Sequence, residues 1–201
     1  MFSVMRRTPV ALACAAALVA ACSKADKPAD SAKMADSTAM AAPAKPAAAP
    51  AAPALTDANI VAILDGANVA DSSAGSVAAA KGTSSEIKSF GRDMMRDHHA
   101  LRAAGQSLAK KLNVSPEMPA GDNSAASAAA WHDSLTAMPK SAAWDKAYID
   151  HEVTYHEAVL NTAQTALGAA QNAELKALIQ KAAPNIQAHL EHAKQIQAKM
   201  K

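Results

Sequence analysis

Cysteine is almost missing from this chain of 201 residues, which contains only Cys14 and Cys22. Both lie within the first 22 residues, so everything after Cys22 is free of thiols. That absence excludes disulfide bonds, a cysteine nucleophile, thiolate-bound zinc and iron–sulfur clusters from the rest of the chain.

Aromatic residues make up 3% of the chain, there are seven glycines, and runs of β-branched residues are absent. The hydrophobic fraction of 50% consists largely of alanine, a strong helix former. The composition therefore predicts an all-α protein. There is no nucleophile elbow, phosphate-binding loop, dinucleotide glycine pattern or HExxH zinc motif, so serine-hydrolase chemistry has no support.

Excess charge of either sign is missing too. The formal net charge is +2, and it falls to zero if Arg6 and Arg7 are removed with a leader. Nucleic-acid-binding domains usually carry a clear positive excess. We therefore expect no nucleic-acid partner.

The first 21 residues have the pattern of a signal peptide, since Arg6 and Arg7 precede an apolar run. The run ends in LVAAC, which resembles the lipobox of bacterial lipoproteins and implies cleavage before Cys22 and lipidation of its sulfur. Two or more acyl chains anchor a protein stably, so we expect the membrane to be a partner through this lipid. Ser23 after the cysteine resembles outer-membrane sorting, facing the periplasm of a Gram-negative bacterium. The alternative is an ordinary signal peptide, with Cys22 incidental.

Residues 22–54 are rich in alanine and proline and contain almost no large apolar residue. Such a segment cannot bury enough apolar surface to offset its ordering entropy. We therefore predict a disordered, lipid-anchored linker that ends where a folded domain, residues 55–201, begins.

Four stretches of residues 55–201 carry apolar side chains alternately three and four residues apart, which is the stripe of a helix packed on other helices. The pattern predicts long helices near residues 56–81, 85–113, 142–169 and 172–199, and a short helix at 124–137 inside the proline-containing connection. Two hairpins joined by one long crossover predict a four-helix bundle with the ferritin-like arrangement.

Each of the four long helices places one polar residue on its apolar stripe: Asp71, His98, His156 and His189. Bundle cores build metal sites from such groups, and imidazole with carboxylate suits Cu, Zn or Fe. The alternative is a structural polar network in which each histidine is hydrogen-bonded separately. Counted from the hairpin turns, the positions of the four residues along the helix axes agree only approximately. Two separate polar spots are therefore also compatible with the pattern. Secondary candidates are Asp97, Glu152 and His192.

No helix carries the Glu-x-x-His motif of di-iron ferritin-like sites, because Met95, Val153 and Ile186 stand three residues before the stripe histidines. Ferroxidase-type chemistry is therefore not expected.

Three blocks carry a family resemblance: SVAAAKGTSSEIKSFGRDMMRDHH, WDKAYIDHEVTYHEAVL and LKALIQKAAPNIQAHLEHAKQI. They resemble the family called domain of unknown function 4142, whose members are bacterial envelope proteins with a ferritin-like bundle. The most specific marks are Asp97-His98, Tyr148 with His156, and Pro184 with His189-Leu190. The chain departs from the family at Asp71, where the family often has Glu. The resemblance implies the fold and the envelope location, and it implies no biochemical activity.

Together these features predict an envelope lipoprotein with a non-catalytic binding or structural domain and an unidentified protein partner. One alternative is a metal-binding protein for Cu, Zn or Fe in metal homeostasis or stress protection. A second alternative is a metal-dependent redox enzyme.

Overall fold

The computed structural model describes residues 55–200. The predicted signal peptide, the lipidation site Cys22 and the predicted linker lie outside these residues. Within them the chain forms five helices and no strand, which confirms the all-α prediction: α1 (Asp57–Lys81), α2 (Ser85–Lys111), α3 (Ser124–Ala137), α4 (Ala142–Ala169) and α5 (Ala173–Lys199).

Polar side chains start the long helices where the sequence predicts. Thr56 caps α1, accepting a hydrogen bond from the backbone N–H of Asn59 while the Asn59 side chain accepts from the backbone of Thr56. Ser84 caps α2 and Ser141 caps α4 in the same way, each accepting a hydrogen bond from the backbone N–H three residues further along the chain. These bonds satisfy N–H groups that a helix leaves without internal partners.

Helices α1 and α2 form one antiparallel hairpin, and α4 and α5 form the other. Because α2 also contacts α5 and α1 contacts α4, the four long helices enclose a common interior. The short helix α3 lies in the connection and packs on α1. At one end of the fold the Asp57 carboxylate accepts hydrogen bonds from the backbone N–H groups of Gln171 and Asn172, at 2.8 and 3.0 Å. This contact joins the first hairpin to the turn of the second.

The interior contains two separate apolar clusters. The first includes Phe90, Met94 and Trp144, and the second includes Ile60, Leu175 and Ile179. Along every long helix, the polar stripe residue falls between the segment that contributes to one cluster and the segment that contributes to the other. The polar residues are therefore placed between two apolar cores.

Helices α1 and α2 approach most closely where Gly75 faces Gly91. A Cβ at Gly75 would lie 2.6 Å from the carbonyl oxygen of Gly91, and a Cβ at Gly91 would lie 2.6 Å from that of Gly75. These are backbone atoms, so a methyl group at either position forces the helices apart. Only glycine permits this contact.

We expect Gly75→Ala to lower the free energy of unfolding by about 1–3 kcal/mol, because overpacking has that cost. The matched control is Gly66→Ala in the same helix, where no atom lies within 4 Å of the added Cβ. It should stabilise the protein by about 0.5–1 kcal/mol through helix propensity. Urea unfolding measures both changes, and an equal effect of the two substitutions would contradict the close contact.

Candidate metal site between the two apolar cores

Five ionisable side chains from the four long helices meet between the two apolar clusters: Asp71 on α1, His98 on α2, Glu152 and His156 on α4, and His189 on α5. Every one of them is buried; Glu152 and His156 are 0% exposed, and His189, the most accessible, is 6% exposed. We call this set the central cluster.

The three histidines of the central cluster form a compact triangle. The ring centroid of His98 lies 5.7 Å from that of His156 and 5.2 Å from that of His189, and the His156 and His189 centroids are 5.7 Å apart. One ligand atom from each lies within 4.8 Å of the other two. The same holds for Asp71, Glu152 and His156, so the two groups share His156. The separate polar spots that the sequence allowed are therefore one cluster.

Each histidine of the central cluster has one ring nitrogen engaged by an oxygen. His156 Nδ1 donates to the backbone carbonyl of Glu152 at 2.9 Å, and His189 Nε2 donates to Asp97 Oδ2 at 3.0 Å. Since these oxygens accept, the engaged nitrogens carry hydrogen. In the neutral rings the lone pairs are then on His156 Nε2 and His189 Nδ1.

His98 follows the same rule. Its Nδ1 lies 2.9 Å from Asn68 Oδ1, while Asn68 Nδ2 donates to the carbonyl of Leu64 at 2.7 Å. The second bond orients the amide with its oxygen toward the ring, so His98 Nδ1 donates and Nε2 carries the lone pair.

The other nitrogens of the three rings are buried and, within residues 55–200, have no hydrogen-bond partner. The same is true of Asp71 Oδ2 and of both carboxylate oxygens of Glu152. Leaving a buried polar group unsatisfied costs about 1–3 kcal/mol, more if it is charged. So many unsatisfied atoms in one place are atypical of a core stabilised by its own hydrogen bonds.

Asp145 is a buried carboxylate of the same fold that does have hydrogen-bond donors, and it serves as a comparison for the central cluster. It is 4% exposed, and it accepts from the backbone N–H of Thr83 at 2.9 Å and from the Thr83 hydroxyl. The carboxylates of the central cluster are as deeply buried but lack such donors. Their nearest polar neighbours are histidines instead: Asp71 Oδ2 lies 3.5 Å from His98 Nδ1, and Glu152 Oε2 lies 3.3 Å from His156 Nδ1.

Burial and charge set different protonation states across the central cluster. Burial, together with the charges of the neighbouring His156 and His189, lowers the pKa of His98 to about 3. Burial also lowers the pKa of His189, although the hydrogen bond to Asp97 opposes it. These two rings are therefore neutral at pH 7, with lone pairs available.

His156 and Asp71 hold protons more tightly than usual. Burial alone would lower the pKa of His156, but the contact with Glu152 and the charge of Asp71 outweigh it and raise that pKa to about 9. Burial raises the pKa of Asp71 well above its ordinary value, against the opposing charge of His156. A cation entering the cluster would displace these protons.

The structure brings together all four stripe residues that the sequence singled out, and it adds Glu152. Asp97, another secondary candidate, does not join the central cluster but holds the His189 ring from outside. His192 is not part of it; its ring packs edge-on against Phe90, with centroids 5.2 Å apart. Asn68 was missed, because an amide beside an apolar stripe carries no distinctive sequence signal.

The comparison with protein families finds a match over residues 42–196 to the family described as "Domain of unknown function (DUF4142)". The chain belongs to this family. The match spans the whole central cluster and confirms the resemblance inferred from the three sequence blocks. The searches of curated proteins and of solved structures found no match. Among the described residues, no helix has the length and apolarity needed to span a membrane.

Proposed function

We propose that this DUF4142 domain binds one transition-metal ion, Cu, Zn or Fe, through His98, His156 and His189. The observation that carries the proposal is that each ring has one nitrogen held by an oxygen and the other buried without a partner. Metal-bound histidines characteristically donate their second ring nitrogen to a carbonyl or carboxylate, which fixes the ring and its tautomer.

The carboxylates support a cation in the same place. Asp71 and Glu152 are buried next to the triangle, and no lysine or arginine is buried in residues 55–200. A divalent ion would offset the charge of both carboxylates when they are ionised. Three imidazoles with carboxylates form a nitrogen-rich donor set, which suits Cu, Zn or Fe rather than Ca²⁺ or Mg²⁺.

The proposed context is a lipid-anchored envelope protein. The support is in the sequence: the lipobox-like LVAAC at Cys22, the leader before it and the alanine- and proline-rich segment after it. In this proposal the domain is a ferritin-like four-helix bundle at the periplasmic face of the outer membrane. Its role is to bind metal in homeostasis or stress protection.

The test is to purify the full chain from the envelope in detergent and measure its metal content by mass spectrometry. We expect about one equivalent of transition metal per chain. Adding metal at about 1,000 times its dissociation constant should stabilise the metal-free protein by roughly 4 kcal/mol. For a protein of this size that raises the melting temperature by roughly 10 °C.

The control is His132→Ala, which removes a histidine of α3 that lies outside the central cluster. It should leave the metal content and the thermal shift unchanged. Absence of both metal and shift in the unmodified chain would sink the proposal. The central cluster would then be a structural polar network.

A further inference from the structure

His189 is the member of the central cluster that is most accessible to solvent. Its Nδ1 is buried without a partner within residues 55–200, and its Nε2 donates to Asp97 Oδ2 at 3.0 Å. Asp97 is only partly buried, so its carboxylate reaches the surface of α2. One imidazole ring therefore lies between a carboxylate in contact with solvent and the other proposed metal ligands.

Asp97 is one of two carboxylates that Arg96 binds at this surface. Arg96 Nε donates to Asp97 Oδ1 at 2.8 Å, and Nη2 donates to Asp97 Oδ2 at 3.2 Å. Arg96 Nη1 donates to Asp93 Oδ1 at 2.6 Å. Asp93 and Asp97 are four residues apart on α2, so they lie on the same face of the helix. Both carboxylates thus share the positive charge of one guanidinium group.

The Arg96 guanidinium marks a position that favours a cation. Carboxylate oxygens bind guanidinium groups and metal cations alike, so the two compete for Asp93 and Asp97. The Arg96 side chain is exposed, and exposed ion pairs are weak. Arg96 can therefore leave both carboxylates without any change in the helix core.

An apolar cavity also reaches the central cluster, from a different side. Its wall includes Leu101, Val159 and Ile179, and it extends to Asp71 and His98. A cation that passes between aliphatic side chains loses water without gaining ligands, which is costly. Along the surface of α2, in contrast, carboxylate and imidazole groups replace the lost water. The side of His189 and Asp97 is therefore the more favourable one for an ion to cross.

We infer that the metal ion enters and leaves between α2 and α5, past Asp93, Asp97 and His189, and that Arg96 is a latch that must first leave the two carboxylates. The inference rests on the proposed metal site. The ion takes the place of the guanidinium, and the hydrogen bond from His189 Nε2 to Asp97 breaks. The His189 ring then turns outward, binds the ion through Nδ1 and returns with it. The hydrogen bond to Asp97 re-forms in the inward position.

Arg96→Gln removes the latch and leaves both carboxylates and every proposed ligand in place. The matched control is Arg92→Gln, which changes an exposed arginine one helical turn earlier that forms no ion pair within residues 55–200. Both substitutions remove one positive charge from the same helix, so they change the general attraction of cations similarly. Arg96→Lys keeps the charge but loses the planar fork that binds two carboxylates at once.

The experiment measures exchange rates in the full chain, purified in detergent and stripped of metal. Uptake of Zn²⁺ is followed by stopped flow with a fluorescent chelator that reports the free ion, and release is followed by transfer to excess EDTA. We expect uptake and release both to be several-fold faster in Arg96→Gln than in Arg92→Gln, with nearly equal Kd. Arg96→Lys should also exchange Zn²⁺ faster than the unmodified chain.

The failure of this inference and the failure of the metal site give different results. If Zn²⁺ does not bind, Cu²⁺ and Fe²⁺ replace it, and if none of them binds, the proposed metal site is wrong and the latch falls with it. If an ion binds but the two glutamine variants exchange it at equal rates, Arg96 is not a latch and the metal site stands. Faster uptake with slower release in Arg96→Gln, or an unchanged rate in Arg96→Lys, would show an effect of charge alone and would also overturn the latch.

Discussion

His156→Ala is expected to abolish stoichiometric metal binding, the largest effect of any single substitution in the chain. His156 belongs to both groups of the central cluster, so its loss removes a nitrogen ligand and the histidine that contacts Glu152. The loss in affinity should exceed the roughly 10- to 100-fold that removing a ligand's supporting partner costs. Equilibrium dialysis against Zn²⁺ and Cu²⁺ measures it.

Two further substitutions, with smaller expected effects on metal affinity, test whether the loss is specific to removing a ligand. Asp97→Ala removes the partner of His189 Nε2 but no ligand, and it should weaken binding by about 10- to 100-fold. His99→Ala removes an exposed histidine adjacent to His98 and should change nothing. Because alanine at position 156 leaves a void, His156→Gln and the melting curves of the metal-free variants check that the fold persists. Unchanged affinity in His156→Ala or His156→Gln would contradict the assignment of ligands.

The second large effect concerns pH. The metal-free protein is expected to lose roughly 3 kcal/mol of stability between pH 6.5 and pH 9, since each pKa unit corresponds to about 1.4 kcal/mol. The pKa of His156 is raised from 6.5 to about 9 in the folded state. A raised pKa contributes stability that is fully present below the unfolded pKa and is lost as the pH rises through the folded one.

His98 and His189 act in the opposite direction. Their pKa values are lowered, so as the pH falls below 6.5 the unfolded chain takes up protons that the folded chain does not. Stability of the metal-free protein should therefore be greatest near pH 6.5. The raised pKa of Asp71 works in the same direction as that of His156, with stability lost as the pH rises.

Urea unfolding from pH 5 to pH 9 measures this profile, and His156→Gln serves as the control. The variant lacks the group that titrates near pH 9, so it should lose less stability than the unmodified chain between pH 6.5 and pH 9. Bound metal should also reduce the loss of stability above pH 6.5, because the ion takes the place of the proton on His156. A flat profile in the unmodified, metal-free chain would show that His156 is not held by Glu152 and Asp71.

Much of this architecture follows from the sequence because the local signals agree. Alternating apolar spacings and the prolines of the crossover predict the helix bounds to within about two residues. The same periodicity places Asp71, His98, His156 and His189 on inward stripes, which the structure bears out.

Other features of the central cluster depend on tertiary geometry. Counting residues from the turns gives the axial depth of each stripe residue only approximately. Whether these side chains meet depends on small shifts of the helices along their axes. Glu152, a secondary candidate, is not among the stripe residues of α4, yet it is 0% exposed. The role of Asn68 depends on two hydrogen bonds, one of them to the partner helix. The cavity beside the cluster is a property of how four helices pack, which no single helix encodes.

The most direct test of the metal site is X-ray absorption at the edge of whichever metal the full chain retains on purification. Three imidazole nitrogens at about 2.0–2.1 Å, the distance expected for zinc, with carboxylate or water oxygen completing the shell, would support the assignment. A protein that retains no metal, or a spectrum without imidazole scattering, would contradict it.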